Sequence, residues 1–396
     1  MQFRPSDRLL PLATGIFSEL SEQKLKARAS GLNVIDLTVG SPDLPPSQVV
    51  MDALAAYSQD PSNYGYTLTG IPSFLEAVAD FYFNRYHVEL NPSTEVVQLM
   101  GSQDGLAHLA MALTNPGDYV LVPDPGYPIY SASVQISGAK QYLMPITAEN
   151  DFLPNFAAIP EEVLEKTRFM VLSYPGNPVP ALASKEFFEE AVAFAKEHQI
   201  LLVHDFAYSE LVFDGVRPIS LLSLPGAKEV AVEFNSLSKT FNMAGCRIAY
   251  AVGNESALHA LALLKSHIDY GVFYPIQKAA ELALQSDFTE LDKLAQTYQN
   301  RRDTLVHGLA QAGWQVDVPP ATMFVWARLP RGWSSRGFSF QLLNQTGVAV
   351  TPGDAFGNHG EGYVRIALVQ GIEQLQTAAE KIGEFLKKAS PDLMQT

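Results

Sequence analysis

Ile200-Leu201-Leu202-Val203-His204-Asp205-Phe206-Ala207-Tyr208 reads as a buried strand, placed over residues 200–203, that runs straight into a carboxylate. An unbroken apolar run of this length is the mark of a strand covered on both faces, as in a parallel sheet flanked by helices. Upstream of it stands a helical pattern over 185–198, and before that another strand at 169–172. Working outward, strand-like runs at 96–100, 119–122, 230–234 and 248–252 alternate with helical ones at 105–113 and 127–137. That alternation predicts an α/β fold with one open, mainly parallel sheet. The stretch 47–86 reads as helix, loop and helix, with the break around Tyr64-Gly65-Tyr66 and Gly70. After Gln277 the rhythm changes to a long polar helix carrying Arg301 and Arg302, strands at 314–318, 323–329, 348–350 and 363–367, and a closing amphipathic helix. This second pattern predicts a smaller α+β domain.

The bulk properties agree with two domains in one chain. Its 396 residues, 47% hydrophobic, exceed what one compact core usually holds. Residues 45–285 are assigned to the large domain, and 1–44 with 286–396 to the small one. A formal charge of −15 repels nucleic-acid phosphates and anionic membrane surfaces, so neither is expected as a partner and small molecules are. A single cysteine, Cys246, excludes an intramolecular disulfide, and no Cys/His group has structural-zinc spacing, so no metal is expected. The apolar stretch Leu9-Leu10-Pro11-Leu12 is too short for a signal peptide, and no run approaches the ~18 residues of a membrane span. The expectation is a soluble protein of a reducing, cytoplasmic compartment.

Chemistry concentrates at strand ends. Asn235-Ser236-Leu237-Ser238-Lys239-Thr240 follows a strand, with Arg247 eight residues beyond the lysine. Lys239 is placed to condense with an aldehyde, while Ser236, Ser238 and Arg247 offer donors to a phosphate dianion. The neighbouring guanidinium and partial burial would lower the lysine pKa. Read alone, the same stretch is also an ordinary solvated turn. Asp205 stands where ligands bind in open α/β sheets and could meet a cofactor ring nitrogen, although a helix N-cap is the plainer reading. Met100-Gly101-Ser102-Gln103-Asp104-Gly105 turns from strand into helix, where backbone N–H groups form a natural phosphate site. Turns at 123–128 and 174–178 each present one aromatic or amide group, Tyr127 and Asn177.

Together these segments resemble the fold-type I pyridoxal-phosphate enzymes of the class I/II aminotransferase family, in particular the branch of the LL-diaminopimelate aminotransferases. The resemblance runs from Val34-Ile35-Asp36-Leu37-Thr38-Val39-Gly40-Ser41-Pro42-Asp43 to Tyr363-Val364-Arg365-Ile366-Ala367. It implies a large domain with a seven-stranded sheet. It implies that Lys239 holds the cofactor as a Schiff base and moves the substrate Cα proton. Asp205 would pair with the pyridine nitrogen, Asn177 and Tyr208 with the phenolic oxygen, and Tyr127 would stack on the ring. Ser102, Gln103, Ser236, Ser238 and Arg247 would hold the phosphate. Arg365 would clamp the substrate α-carboxylate, helped by the backbone of Gly40. Tyr64 would reach the phosphate of a neighbouring subunit, which implies a homodimer with shared sites.

Two departures from the family pattern stand out. Asn177-Pro178-Val179-Pro180 replaces the usual Asn-Pro-Thr-Gly, and Gly245-Cys246-Arg247 replaces Gly-Trp-Arg. The first puts the geometry of the loop beyond Asn177 in question; the second reads as a packing change. The resemblance implies ping-pong transamination between an L-amino acid and a 2-oxo acid, with glutamate and 2-oxoglutarate as one pair. The region 266–275 lacks the second arginine that some aspartate aminotransferases use. Phe17, Tyr270, Phe273 and Tyr274 either line a pocket for a longer side chain or pack at a subunit interface. A C–S β-lyase on the same scaffold is the rival reaction, and a cofactor-binding regulatory module the non-enzymatic one.

Overall fold

The computed structural model describes residues 1, 3–12 and 15–389. Twelve strands are numbered in chain order: β1 Ile35–Asp36, β2 Val96–Leu99, β3 Tyr119–Asp124, β4 Lys140–Pro145, β5 Thr167–Leu172 and β6 Leu201–Asp205. They continue as β7 Ala231–Ser236, β8 Ala249–Gly253, β9 Phe324–Arg328, β10 Val348–Ala349, β11 Thr351–Pro352 and β12 Tyr363–Ala367. The central sheet has seven strands in the order β2-β8-β7-β6-β5-β3-β4. Only β8 runs antiparallel to its neighbours. The α/β fold with a mainly parallel seven-stranded sheet is therefore what the chain forms.

The reason lies in the strands themselves. In β6 and β7, Leu202, Val203, Ala231, Val232 and Phe234 are fully buried, as strands sandwiched between helical layers must be. Removing one such side chain, as in Leu202→Ala, would cost about 2–5 kcal/mol. The helix Lys185–His198 starts on a Ser184 hydroxyl that accepts from the Phe187 N–H, and buries Phe187, Phe188, Ala191, Val192 and Ala195 against the sheet at three- and four-residue spacing.

A second core gathers β9, β12 and the helices Thr289–Gln311 and Ile372–Ala389, around Phe324, Val364, Ile366, Leu375, Ile382 and Phe385. Ala207, Tyr208, Leu211 and Phe213, which follow directly on β6, belong to this second core. The chain thus ties the end of the central strand to the smaller sheet, and the mouth between the two cores lies at Asp205.

The structure corrects three details. Strand β4 is absent from the sequence reading because it is a sheet edge whose Lys140, Gln141 and Pro145 are exposed, so it lacks the apolar run of the inner strands. Residues 314–318, read as a strand, have no strand partner; Trp314 is fixed by its side chain, the indole N–H donating to the Arg328 carbonyl at 2.9 Å. Of the run 348–350, only Val348–Ala349 forms a strand, β10, paired with β1 in parallel; the separate β11 follows it and pairs with β12 antiparallel.

Candidate active site

The carboxyl ends of β2, β3, β5, β6 and β7 open on one side of the sheet, and β12 reaches the same place from the smaller sheet. A cavity of about 740 Å³ lies there. Gly40, Ser102, Gln103, Tyr127, Asn177, Asp205, Tyr208, Ser236, Ser238, Lys239, Arg247 and Arg365 all line it. Of the site residues read from the sequence, only Tyr64 does not. It stands exposed, its hydroxyl donating to the Ser58 carbonyl at 2.9 Å and its ring 5.1 Å from that of Phe273. Phe17 lines the cavity, whereas Tyr270, Phe273 and Tyr274 do not.

Asp205 is the last residue of β6 and is buried. The Tyr130 hydroxyl donates to its Oδ2 at 2.7 Å, and the Ala207 N–H approaches Oδ1 at 3.4 Å. Burial pushes this carboxyl above the ordinary carboxylate range, more than the Tyr130 hydrogen bond pulls it down. A cationic ring nitrogen beside this carboxylate would reverse that balance. The helix-cap reading of Asp205 is weak here, because the one backbone N–H it receives is at the edge of hydrogen-bonding range and no helix follows within the next residues.

Lys239 sits in the single helical turn Leu237–Thr240 after β7, with Nζ donating to the Gly40 carbonyl. Burial, then the charges of Arg365 and Arg247, lower its pKa to about 8, against the pull of Asp205. Gly40 is required at its position: a Cβ there would lie 2.8 Å from the Phe324 ring. Tyr208 is buried with its ring 5.6 Å from Phe324, and burial raises its phenol well above the ordinary value.

The opposite wall is built for an anion. Gly101 begins the helix Ser102–Leu113 at φ +96 with no side-chain cap, which leaves the first N–H groups of a twelve-residue helix facing the cavity end. A Cβ on Gly101 would overlap Arg247 Nη2, so the glycine lets the guanidinium close over the turn. Arg247 itself is left-handed, φ 52, and donates to the carbonyls of Ala244 at 3.0 Å and Met100 at 3.4 Å. Behind the turn, Asp104 Oδ2 accepts from the Met100 N–H and from Lys265, both at 3.1 Å, and Oδ1 lies 2.9 Å from His108 Nδ1. Burial would raise Asp104, but these partners hold it down at about 2. Tyr127 follows β3 and donates to Gln103 Oε1 at 3.1 Å. The Ser236 hydroxyl accepts from the Ser238 N–H at 3.2 Å and keeps the lysine turn compact.

Arg365 projects from β12 and is 4% exposed. Its Nη1 donates to Asn177 Oδ1 at 2.8 Å and its Nη2 to the Thr38 carbonyl at 2.6 Å. Its guanidinium lies 4.3 Å from the Phe324 ring centre and 4.8 Å from that of Phe356. Nε is buried with no partner, and among the described residues no carboxylate pairs with this cation. Burial lowers its pKa to about 10. A buried guanidinium held by neutral oxygens and aromatic faces is a site for a carboxylate brought from outside.

Sequence reasoning missed several participants. Tyr130, whose hydroxyl holds Asp205, was hidden because an aromatic at helical spacing reads as core. Thr38 acts through its backbone carbonyl, for which side-chain type carries no signal. Phe324 and Phe356, which frame Arg365, are ordinary core residues until the sheets are assembled.

A lysine of depressed pKa set between an anion-binding helix start and a buried carboxylate fits pyridoxal phosphate: donors for the phosphate, an amine for the aldehyde, an acid for the ring nitrogen. The fold and the site define a fold-type I pyridoxal-phosphate enzyme. The chain belongs to the aminotransferase class I and II family, whose model matches residues 33–382. It is 43% identical over 382 residues to an LL-diaminopimelate aminotransferase of Moorella thermoacetica, covering 96% of this chain and 98% of that one. It is 43% identical over 385 residues to another of Dehalococcoides mccartyi, with 97% and 99% covered. Among solved structures it resembles substrate-bound BacF from Bacillus subtilis, with a TM-score of 0.93, 40% identity and coverage of 97% and 98%. It also resembles a probable N-succinyldiaminopimelate aminotransferase from Thermus thermophilus, with a TM-score of 0.88, 40% identity and coverage of 93% and 99%. The protein is thus a pyridoxal-phosphate-dependent aminotransferase acting on an amino acid and a 2-oxo acid, and the C–S lyase alternative is not favoured. Among the described residues, no helix is long and apolar enough to cross a membrane.

Proposed function

We propose that the enzyme transfers the amino group of an LL-diaminopimelate-type amino acid to 2-oxoglutarate by a ping-pong cycle. The observation that carries the transaminase geometry is the convergence of Lys239, Asp205 and Arg365 on one cavity; the names of the relatives at 43% identity support the substrate. When bound, pyridoxal phosphate supplies an aldehyde that condenses with amines and a cationic ring that accepts electrons from the substrate Cα. Lys239 would carry the cofactor in the resting enzyme, and once displaced its neutral amine would move the substrate Cα proton. Asp205, fixed by Tyr130, would keep the ring nitrogen protonated. Asn177 and Tyr208 would hold the phenolic oxygen, and Tyr127 would cover the ring. Ser102, Gln103, Ser236, Ser238 and Arg247 would hold the phosphate. Arg365 receives the α-carboxylate, with the Gly40 backbone beside it.

The active unit is read as a cytoplasmic homodimer. Exposed Tyr64, Tyr66, Tyr270 and Phe273 form one aromatic surface, in two ring pairs, from which Tyr64 would reach a partner's phosphate. The division into 45–285 and the flanking 1–44 and 286–396 is supported by the separate cores, with residues 207–213 crossing between them.

The test is a panel of amino acids presented to the loaded enzyme in the absence of an oxo acid, following the absorbance change from the aldehyde to the amine form of the cofactor. LL-diaminopimelate and glutamate should convert it fastest. Release of pyruvate and ammonia without an acceptor would instead support a lyase. Borohydride reduction should fix the cofactor on the Lys239 peptide, and a label on any other lysine refutes the assignment.

A further inference from the structure

His204 immediately precedes Asp205 on β6, yet its side chain points away from the cavity and is fully buried. Its Nδ1 lies 2.8 Å from Glu233 Oε1 on β7. Glu233, also fully buried, accepts in addition from the Ser220 hydroxyl and the Leu221 N–H, both at 2.6 Å. Three donors fix that carboxylate, and the carboxylate in turn fixes the imidazole, with the proton on Nδ1. The ring is held between Phe188, 5.2 Å away, and Phe206, 4.8 Å away. Its other nitrogen, Nε2, lies 3.1 Å from the carbonyl and 3.3 Å from the N–H of Tyr174. Whether neutral or charged, Nε2 finds a backbone partner on the same residue: it accepts from the N–H in one form and donates to the carbonyl in the other.

Tyr174 lies on the loop that carries Asn177. The last register pair between β5 and β6 is Leu172 with His204, so beyond it the ladder no longer holds this loop. Two side-chain bonds to β6 take its place, the His204 contact and a 3.2 Å bond from the Ser173 hydroxyl to the Asp205 carbonyl. The loop is tight: a Cβ on Gly176 would lie 2.5 Å from the Ser173 carbonyl. A shift at Tyr174 therefore has little slack before it reaches Asn177, whose Oδ1 holds Arg365.

We propose that His204 is a positioning residue for substrate binding: braced by Glu233, it holds the Tyr174 backbone and so places Asn177 and the Arg365 guanidinium for the substrate carboxylate. This rests on the reading of Arg365 as the carboxylate clamp. Side-chain length separates the two contacts of the imidazole. In His204→Asn the amide lies near the position of Nδ1 and still meets Glu233, but nothing reaches Tyr174. In His204→Gln the amide extends to the position of Nε2 and can meet Tyr174.

The experiment compares steady-state constants of both variants for amino donor and oxo acid acceptor, beside thermal unfolding of the loaded enzyme. His204→Asn should raise KM for both substrates roughly tenfold while kcat changes less than about threefold, the scale expected when a positioning contact is lost. His204→Gln should restore most of the KM. In an Arg365→Lys background His204→Asn should add little, because a residue acting through the clamp has nothing left to place. A wild-type KM in His204→Asn overturns the proposal, as do equal losses in the Asn and Gln variants that follow the folded fraction. If Arg365→Lys itself leaves KM unchanged, the clamp reading is the one that fails.

Discussion

The depressed pKa of Lys239 gives the sharpest quantitative expectation. Burial and the charges of Arg365 and Arg247 bring it to about 8 from the ordinary 10.5. At pH 7.5 a group of pKa 8 is ~24% neutral, against ~0.1% for an ordinary lysine, so its nucleophilic form is enriched roughly 240-fold. The cofactor-free enzyme, treated with a trace of a small acylating reagent between pH 6 and 11, should label the Lys239 peptide with a midpoint near 8, read by mass spectrometry. The exposed Lys26 and Lys185 serve as references in the same digest. The causes can be separated by sign. Arg365→Gln removes a positive neighbour and should move the midpoint up; Asp205→Asn removes a negative one and should move it down. The shift also links to stability: between about 8 and 10.5 the unfolded lysine holds more proton than the folded one, so this residue makes the cofactor-free protein more stable as pH rises through that window. A Lys239 midpoint at or above those of the references would refute the reasoning.

Asp205→Asn preserves shape but removes the charge opposite the ring nitrogen, and should lower kcat by several orders of magnitude with the cofactor still bound; near-normal turnover in stopped-flow assays would leave Asp205 only a structural role. Tyr130→Phe removes the 2.7 Å bond to Asp205 Oδ2 and should lower kcat by roughly tenfold to a hundredfold with little change in KM, measured on the same substrates. Gly101→Ala drives a Cβ into Arg247 Nη2 and forces a left-handed alanine, so cofactor affinity, followed by fluorescence titration, should fall while unfolding temperature changes modestly. Tyr64→Phe should weaken cofactor retention without altering substrate ranking, and hybrids with Lys239→Ala chains should regain one intact site if Tyr64 serves the neighbouring subunit; a fully active monomer in sedimentation would exclude sharing.

The sequence by itself determined the inner strands, because a strand buried on both faces is largely apolar, and Leu202 and Val203 in β6 and Ala231, Val232 and Phe234 in β7 show it. It also pointed to the strand ends that meet at the cavity, since Asp205, Lys239 and Gly101 all mark places where a strand ends and polar groups or a helix start follow. Backbone and side-chain type carry those signals locally. The tertiary structure alone decided what depends on approach between distant segments. Strand β4 forms because an edge has only one neighbour to satisfy, and its own residues do not announce it. Tyr130 reaches Asp205 across 75 residues, Thr38 gives Arg365 a carbonyl across 327, and Lys239 meets Gly40 across 199. Such contacts are set by the packing of two cores against each other, and burial is the largest cause of the lowered pKa of both Lys239 and Arg365, with Arg365 itself brought to Lys239 from the distant β12.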